Sequence, residues 1–280
     1  MEIKKTMAVY FSPTTSTRQL TLAVGKGVAS VFGTQLHFKN WGRPRMREQD
    51  AVFDRETLAV VGMPTYAGRL PNLIAPSISD HLKGNKTPAI AVVTYGNRAY
   101  ENSLAELVSR LSKNGFIVVA AAAIPCAHAF ANIGEGRPTQ QDIVDAAVFG
   151  QKTALNLAQV EYENQLTPVA VPGDPDAPYY TPLKEDGTPA HFLKAKPEVD
   201  EARCTGCGVC VRFCPMGSFA VNPLNGKAEI HGVCIKCQAC LRGCLPEALA
   251  FKDPDFLSHR KMLEAHYSAH QDAAYFPFAI

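Results

Sequence analysis

Apolar and polar positions follow two different periods over the first 160 residues of the chain. Short apolar runs that end in glycine, proline or serine are typical of buried strands, and apolar residues recurring every three or four positions are typical of helices. The strands predicted in this way are Thr6–Phe11, Gln35–Phe38, Thr57–Val61, Ala89–Tyr95 and Phe116–Ile124. The predicted helices are Thr17–Val31, Leu73–Leu82, Ser103–Leu111 and Asp142–Val160. Pro76 is an awkward interior residue in the second of these helices.

The order of these elements predicts the fold class of the N-terminal part. Strands that alternate with helices form a parallel sheet with helices on both faces. Five strands at this spacing predict an α/β domain with a doubly wound five-stranded parallel sheet, whose ligand site lies beyond the carboxyl ends of the strands. A longer Rossmann sheet is the alternative, but the chain lacks the G-x-G-x-x-G turn and the length that this sheet requires.

The rest of the chain divides into three parts by composition. Residues 166–197 contain seven prolines and little periodicity, which predicts a semi-rigid connector rather than a domain. A small cysteine-rich domain is predicted at 198–252, after an N-terminal domain at 1–165. The tail, residues 253–280, has a helix-like part and an apolar end at Tyr275–Ile280. This end either packs against the chain's own connector or serves as a docking or homodimer element.

Charge and hydropathy exclude several classes of protein. The 28 lysines and arginines nearly balance the 26 acidic residues, so the chain has no basic footprint for nucleic acid or an anionic membrane. No stretch reaches the roughly 18 consecutive apolar residues of a membrane span, and Met1–Phe11 does not read as a signal peptide. We therefore expect a cytoplasmic protein with no nucleic-acid or membrane partner and with its cysteines on metal.

Eight of the nine cysteines form two copies of one pattern, C-x₂-C-x₂-C-x₃-C, which begin 30 residues apart. The copies are Cys204, Cys207, Cys210, Cys214 and Cys234, Cys237, Cys240, Cys244. Bacterial ferredoxins hold two [4Fe–4S] clusters with this run, and the fourth cysteine of each copy ligates the other cluster. The pattern predicts two clusters, held by Cys204, Cys207, Cys210 with Cys244 and by Cys234, Cys237, Cys240 with Cys214.

Structural zinc is the alternative for four thiolates. Zinc sites usually separate two CxxC pairs widely, whereas here three cysteines follow one another at i, i+3 and i+6 and wrap one corner of a cube. The spacing therefore favours iron–sulfur clusters. The ninth cysteine, Cys126, follows the fifth predicted strand, and it is either a small buried apolar residue or a residue at the cofactor end of the sheet, near His128.

Three loops that follow predicted strands carry hydroxyl groups, tyrosines and glycines. Residues 12–17 read Ser-Pro-Thr-Thr-Ser-Thr at the start of a helix, where hydroxyls and free backbone N–H groups hold a phosphate or simply cap the helix. The other two loops, Met63–Pro71 and Thr94–Tyr100, pair tyrosines with glycines. A planar flavin ring needs aromatic faces and backbone hydrogen bonds at its edge. Together the loops predict a flavin site.

The N-terminal part resembles flavodoxins, and residues 5–252 resemble flavodoxin–ferredoxin fusion proteins of anaerobic bacteria and archaea. The motifs that carry the resemblance are the hydroxyl loop, Pro64–Pro71, Tyr95–Tyr100, Gly136-Arg-Pro138 with Asp142, and the cysteine runs. Thr15 stands where flavodoxin phosphate loops have glycine. The resemblance implies a flavodoxin-like sheet followed by a small α+β two-cluster ferredoxin-like domain.

The resemblance also implies noncovalently bound FMN. Its phosphate would be held by Ser12, Thr14, Thr15, Ser16 and Thr17. Its ring would be surrounded by Pro64, Thr65, Tyr66, Ala67, Gly68, Thr94, Tyr95, Gly96, Asn97 and Tyr100. His128 and Arg137 lie in a further loop that would approach the ring. Arg69 and Arg98 are expected to be solvated or paired, and His259, His266 and His270 to be exposed.

These features predict an electron-transfer protein in which two [4Fe–4S] clusters and FMN link one-electron and two-electron carriers. The expected partners are redox proteins, either a ferredoxin or an oxidoreductase. The alternative is an FMN-dependent reductase of a quinone or enoate, with the clusters as the electron supply, so the sequence leaves open whether the protein is an enzyme. It contains no acid–base constellation and no dinucleotide fingerprint.

Overall fold

The computed structural model describes residues 1–278, so the last two residues of the predicted apolar end, 279–280, lie outside the described chain. The elements of the N-terminal domain are β1 (Lys5–Tyr10), α1 (Ser16–Phe32), β2 (Leu36–Asn40), α2 (Pro44–Arg47), β3 (Ala51–Phe53), β4 (Thr57–Pro64), α3 (Ala75–His81), β5 (Leu82–Gly84), β6 (Thr87–Tyr95), α4 (Ser103–Lys113), β7 (Phe116–Pro125) and α5 (Gln140–Ala158). The predicted strands and helices are all present in this order.

The main sheet has the strand order β12-β7-β6-β4-β1-β2, where β12 (Ala274–Phe276) comes from the tail. The five strands from β7 to β2 pair in parallel. Their order, counted along the chain, is 2-1-3-4-5, the doubly wound order of the flavodoxin-like fold. The predicted fold class of this domain is therefore confirmed. The short strands β3 and β5 form a separate parallel pair that the sequence did not indicate.

Helices cover both faces of this sheet and produce two apolar cores. One core contains residues of α3 and α4, and the other contains residues of α1 and α5. The helices α1 and α5 approach closely because Gly27 and Gly150 each face backbone atoms of the other helix, where a Cβ atom would collide. Pro76 lies in the first turn of α3, where a missing N–H is tolerated, so the predicted conflict does not arise.

The cysteine-rich domain is built from two similar halves. Its elements are β8 (Glu198–Val199), α6 (Val209–Phe213), β9 (Phe219–Val221), β10 (Ala228–Ile230), α7 (Ala239–Gly243) and β11 (Leu249–Ala250), and the tail helix α8 (Pro254–His266) follows. Strand β9 pairs antiparallel with β10, and β11 pairs antiparallel with β8. The backbone repeats as well, because positions 206, 208 and 217 of the first half and 236, 238 and 247 of the second all have positive φ.

One of these repeated positions gives a stability prediction. Gly217 has φ 64° in the first half, and Glu247 has φ 51° in the second, where a side chain costs ~1–2 kcal/mol. The carboxylate of Glu247 is 81% exposed and its ion pair with Arg203 at 3.2 Å contributes little. We expect Glu247→Gly to raise the free energy of unfolding by about 1 kcal/mol and the control Gly217→Ala to lower it by about as much. Equal urea unfolding curves for both variants and the parent would contradict this.

The connector and the tail both lie on the N-terminal domain. In the connector, the backbone N–H of Val169 donates to Val118 O at 2.7 Å, and Val171 packs on the core of α3 and α4. Strand β12 pairs antiparallel with Ala121–Ala123 of β7. The apolar end of the tail therefore completes the sheet of its own chain, a placement that neither sequence interpretation contained.

The tail also corrects one expectation from the sequence. His259 of α8 is only 5% exposed, because its ring packs at 5.3 Å on Phe192 and its Nδ1 lies 2.8 Å from Leu183 O. Burial lowers the pKa of this imidazole. The expectation of an exposed histidine was wrong because the ring fills the space between the tail helix and the connector.

Hydrophobic helices in the described chain are short. Within residues 1–278, no helix is both long and apolar enough to cross a membrane.

Candidate functional site

The loop after β1 leads into α1 through an N-cap residue whose side chain does not cap the helix. Thr15 has φ 75° immediately before the first residue of the helix and forms no capping hydrogen bond. Ser12 Oγ accepts from the N–H of Arg18 at 3.0 Å, and the hydroxyls of Thr17 and Thr94 lie 2.7 Å apart. Thr14, Thr15 and Ser16 stay partly or fully exposed. Apart from the bond from Arg18 to Ser12, the first turn of the 17-residue helix lies beside hydroxyls with no bond from its N-cap residue, which is an arrangement that attracts anions.

The two tyrosine-containing loops lie side by side at the same edge of the sheet. The chain turns at Ala67 and Gly68, which both have positive φ, and Tyr66 and Arg69 exchange two backbone hydrogen bonds across this turn. The N–H of Thr65 donates to Thr94 O at 2.7 Å, which ties the second loop to the third. Pro64 and Gly96 lie at the ends of adjacent strands. The ring centroids of Tyr95 and Tyr100 are 5.6 Å apart within the third loop.

A buried ion network fixes the second loop to α4. Glu106 is 2% exposed, and its carboxylate accepts from Arg69 Nε at 2.7 Å, from Arg110 Nε at 2.9 Å and from the N–H of Leu70 at 3.1 Å. The Arg69 guanidinium also donates to connector carbonyls, including Pro175 O at 2.7 Å. The hydrogen bond that Arg69 donates to Glu106 raises the pKa of Arg69. Arg69 is thus paired, as expected from the sequence, but in the interior.

The tail crosses the third loop. Asn97 is 2% exposed, and its Nδ2 donates to Tyr267 O at 2.8 Å and to Ala269 O at 2.9 Å. The phenol of Tyr95 donates to Asp272 O at 3.3 Å, and burial raises its pKa to about 12. The side chain of Asn97, predicted to surround a flavin ring, is therefore engaged by the tail backbone.

The connector also covers the second and third loops. The guanidinium carbon of Arg98 lies 3.8 Å from the ring centroid of Tyr180 and 6.0 Å from that of Tyr267. Arg98 also pairs with Glu101 at 2.7 Å. The N–H of Tyr180 donates to Ala67 O at 2.9 Å, so connector and tail hold this edge of the sheet from two sides.

The loop after β7 is bound to the tail and to the cysteine-rich domain, and it contains a neutral histidine. His128 Nδ1 accepts from the N–H groups of Phe130 and Ala131 at 3.3 and 3.1 Å. Burial, together with nearby cationic groups, lowers the pKa of His128 to about 3. Arg137 forms an ion pair with Asp142 at 2.5 Å and donates to Gln271 O at 2.6 Å in the tail.

Cys126 precedes that loop and belongs to the core of α1 and α5. Its side chain is 2% exposed, and burial raises the pKa of its thiol. It lines neither cysteine cavity of the second domain. Both sequence interpretations apply in part, because the thiol is a buried core group at the carboxyl end of β7.

Trp41 is a further buried group at this edge of the sheet. It follows β2, its N–H donates to Tyr10 O at 2.8 Å, and its side chain is fully buried. Among residues 1–278, no atom pairs with its indole Nε1. A buried N–H without a partner costs about 1–3 kcal/mol, so this donor is suited to a group bound at the same edge.

The eight cysteines of the runs line two cavities in the cysteine-rich domain. We call the cavity lined by Cys214, Cys234, Cys237 and Cys240 the proximal cavity, and the one lined by Cys204, Cys207, Cys210 and Cys244 the distal cavity. The two cavities are nearly equal in size. All eight thiols are free of disulfide bonds.

Backbone amides point at several of these sulfurs. The N–H of Ser218 lies 3.3 Å from Cys214 Sγ, and the N–H of Ala248 lies 3.3 Å from Cys244 Sγ, at corresponding positions of the two halves. The N–H groups of Ala228 and Lys236 make similar contacts with Cys204 and Cys234. Such amide–sulfur hydrogen bonds stabilise thiolates and raise the potentials of the groups that they bind.

The proximal cavity faces the N-terminal domain. Its lining residues Met216 and Ile235 pack on the core of α3 and α4. Burial raises the pKa of Tyr66 in the second loop, and the charges of Cys237 and Cys234 in this cavity raise it further. Arg242 donates to His128 O at 3.0 Å and so holds the loop after β7 against the second domain. In the distal cavity, by contrast, Cys207 is exposed.

Comparison with known proteins agrees with the cysteine geometry. A family described as a 4Fe–4S binding domain matches residues 196–219, which include the first cysteine run. An uncharacterized ferredoxin of Methanocaldococcus jannaschii is 31% identical over 84 residues, and the match covers 27% of this chain and 56% of that ferredoxin. The doubly wound sheet provides the other half of the identification. The chain therefore joins a flavodoxin-like sheet to a small ferredoxin-like 4Fe–4S region.

Solved structures that are similar to this chain in fold match its N-terminal half. A flavodoxin from the domain Archaea is 15% identical, with a TM-score of 0.35, and the match covers 55% of this chain and 99% of the flavodoxin. The flavodoxin of Megasphaera elsdenii is also 15% identical, with a TM-score of 0.33, and covers 51% of this chain. The curated ferredoxin relative is matched over only about half of its length.

The structure contains contacts at the candidate sites that the sequence did not indicate. They are the buried Arg47 beside the proximal cavity, Arg242 at the loop after β7, and the tail backbone over the third loop. All of them join parts of the chain that are more than 100 residues apart, and no local motif marks them.

Proposed function

We propose that the protein is an electron relay. It would hold two [4Fe–4S] clusters in the cysteine-rich domain and FMN at the carboxyl ends of the strands of the flavodoxin-like sheet. When bound, clusters carry single electrons and FMN exchanges one or two. The observation that carries this proposal is the order of the sites, because Cys207 of the distal cavity is exposed whereas the proximal cavity abuts the flavin loops. Electrons from a redox protein enter at the distal cavity and continue through the proximal one.

The cysteine cavities fit clusters better than zinc. Zinc bonds four thiolates at about 2.3 Å and leaves no cavity between them. Here each group of four cysteines lines a cavity, and backbone N–H groups face the sulfurs from outside. Both groups of four contain the crossed fourth cysteine of the other run, as a two-cluster ferredoxin requires. A reducing compartment, such as the cytoplasm, keeps these thiolates free for ligation.

The edge of the sheet fits FMN by its donors. The start of α1 and the hydroxyls of Thr14, Thr15 and Ser16 are suited to a phosphate dianion. The unpartnered indole N–H of Trp41 adds a donor at this edge. The chain's own residues would thus bind the phosphate, exclude water under the connector and tail, and fix the ring between the second and third loops.

Thr15 provides a test of the phosphate site. We expect Thr15→Asp to weaken FMN binding at least tenfold, which is about 1.4 kcal/mol, because a carboxylate would face the phosphate. Thr15→Gly suits the φ of 75° and should retain FMN while raising the free energy of unfolding by about 1 kcal/mol. Quenching of Trp41, the single tryptophan of the chain, measures both affinities.

Riboflavin, which lacks the phosphate, is the control ligand for this test. The two Thr15 variants should bind riboflavin equally. Aspartate is itself a good N-cap residue, so a folding defect does not explain a weaker affinity of Thr15→Asp. Equal FMN affinities of the two variants would show that the phosphate binds elsewhere.

The covering of the flavin loops favours the relay over the alternative of a quinone or enoate reductase. A reductase needs an open pocket over the ring, whereas here Arg98, Tyr180 and the tail carbonyls close the third loop. Anaerobic mixing of the reduced holoprotein with a quinone or an enoate distinguishes the two. The relay predicts that flavin reoxidation by the small molecules is much slower than by an oxidised redox protein. Fast, saturable reoxidation by a quinone or an enoate would instead establish the reductase.

A further inference from the structure

A single arginine from the flavodoxin-like domain is buried against the proximal cavity. Arg47, at the end of α2, is 6% exposed. Its Nη1 donates to Pro215 O at 2.9 Å, and its Nη2 lies 4.0 Å from Met216 Sδ. Pro215 follows Cys214 directly, and both Pro215 and Met216 line the proximal cavity. A cation of one domain thus lies beside the cysteine cavity of the other.

Among the described residues, the charge of Arg47 is balanced by no direct ion pair, and the groups that favour it from a greater distance are the exposed Glu48 and the cysteine Cys214. The buried or half-buried arginines of the flavin loops each pair with an acid, as Arg69 does with Glu106 and Arg137 with Asp142. In the described chain, up to residue 278, no carboxylate lies within ion-pair distance of Arg47, and its protein partners are a carbonyl and a thioether. A buried cation is retained where a counter-charge compensates its desolvation. Four thiolates around the proximal cavity provide that negative charge.

The distal cavity has a matched but more exposed cation. Lys227 Nζ donates to Cys204 O at 2.7 Å, in the cysteine-rich domain itself. Lys227 is half-buried, and an ammonium at the protein surface is screened by water and salt more strongly than a buried guanidinium. The proximal cavity has a second cation in the cysteine-rich domain, since Lys236 Nζ donates to Cys234 O at 3.2 Å, so Arg47 is the cation that distinguishes it from the distal cavity.

We propose that Arg47 sets the reduction potential of the cluster in the proximal cavity and raises it above that of the distal cluster. A reduced cluster carries one more negative charge than an oxidised one, so a buried cation stabilises the reduced form. The resulting order favours electrons on the cluster nearest the flavin loops. Because Arg47 belongs to the flavodoxin-like domain, the proximal cluster reaches this potential only when the two domains are docked. The proposal rests on the presence of the two clusters proposed above.

The test is a redox titration of the full-length holoprotein, followed by electron paramagnetic resonance, for the parent, Arg47→Met, Arg47→Lys and Lys227→Met. We expect Arg47→Met to move one of the two cluster waves to more negative potential by at least about 59 mV, a tenfold change in a one-electron equilibrium. Arg47→Lys should retain most of the parent value. Lys227→Met should move the other wave, and by less.

The outcomes separate this inference from the proposed function. Absence of two cluster waves in the parent would overturn both. Two waves in the parent that Arg47→Met leaves unchanged, or a shift of the same wave by Arg47→Met and Lys227→Met, would overturn the role of Arg47 alone. Iron content measured on each variant shows whether a shift reflects a lost cluster. If Arg47→Met does not fold, Arg47→Gln keeps a hydrogen-bond donor to Pro215 O without the charge and must produce the same shift.

Discussion

The variant Cys237→Ser is expected to disconnect the flavin from its electron supply. Cys237 is a buried residue of the proximal cavity, on the side that faces Tyr66 of the second flavin loop. Loss of this ligand should slow flavin reduction more than about 100-fold, since loss of an outer-shell partner alone costs up to that factor. Stopped-flow absorbance at the flavin band, after anaerobic mixing with a reduced bacterial ferredoxin, measures the rate.

Two other cysteine variants make this result specific. Cys207→Ser alters the exposed cavity, so it should slow electron entry from the ferredoxin but leave the proximal site and the flavin connected. Dithionite, a small reductant, should then still reduce the flavin of Cys207→Ser at the parent rate. It should reduce the flavin of Cys237→Ser more slowly than that. Cys126→Ala lies outside both cavities and should retain the full iron content. Normal flavin reduction in Cys237→Ser would refute the order of the sites.

The largest expected effect on stability comes from Glu106. Its carboxylate, 2% exposed, binds Arg69, Arg110 and the N–H of Leu70, so Glu106→Ala leaves a buried guanidinium without its counter-charge. We expect the free energy of unfolding to fall by about 3–5 kcal/mol, as for other broken buried pairs. The second flavin loop should also loosen, which weakens FMN binding. Urea unfolding followed by circular dichroism gives the change in stability.

An exposed ion pair provides the control for Glu106. Glu198 and Lys252 pair at 3.0 Å with more than half of each side chain exposed. Glu198→Ala should therefore cost less than about 1 kcal/mol. A comparable loss in both variants would mean that the buried network contributes no more than a surface pair, and that the second loop is held by other contacts.

The central sheet could be predicted from the sequence because its strands are covered on both faces. Every residue of β6, Thr87–Tyr95, is buried, and such strands read as continuous apolar runs. The short strands β3 and β5 could not be predicted, because three residues carry no detectable period and their pairing depends on the rest of the fold. The same holds for β12, which is a strand only because the edge of β7 is there to pair with it.

Some parts of the candidate site could likewise be predicted from the sequence, and others could not. The cysteines of both cavities could be predicted because their spacing is local and repeated. At positions 206 and 208 the first half has glycines, which predict a positive φ. In the second half, Lys236 and Gln238 adopt the same conformation, although neither is a glycine. The partners of Arg47 and Asn97 could not be predicted from the sequence, since they lie 168 and at least 170 residues away in the chain.

The measurement that tests the relay most directly is the cofactor content of anaerobically purified protein. Iron, acid-labile sulfide, zinc and extracted flavin are determined on one sample, together with the visible spectrum. The account predicts about eight iron and eight sulfide per chain, as two [4Fe–4S] clusters require, with about one FMN and no zinc. Zinc without sulfide, or clusters without any flavin, would contradict it.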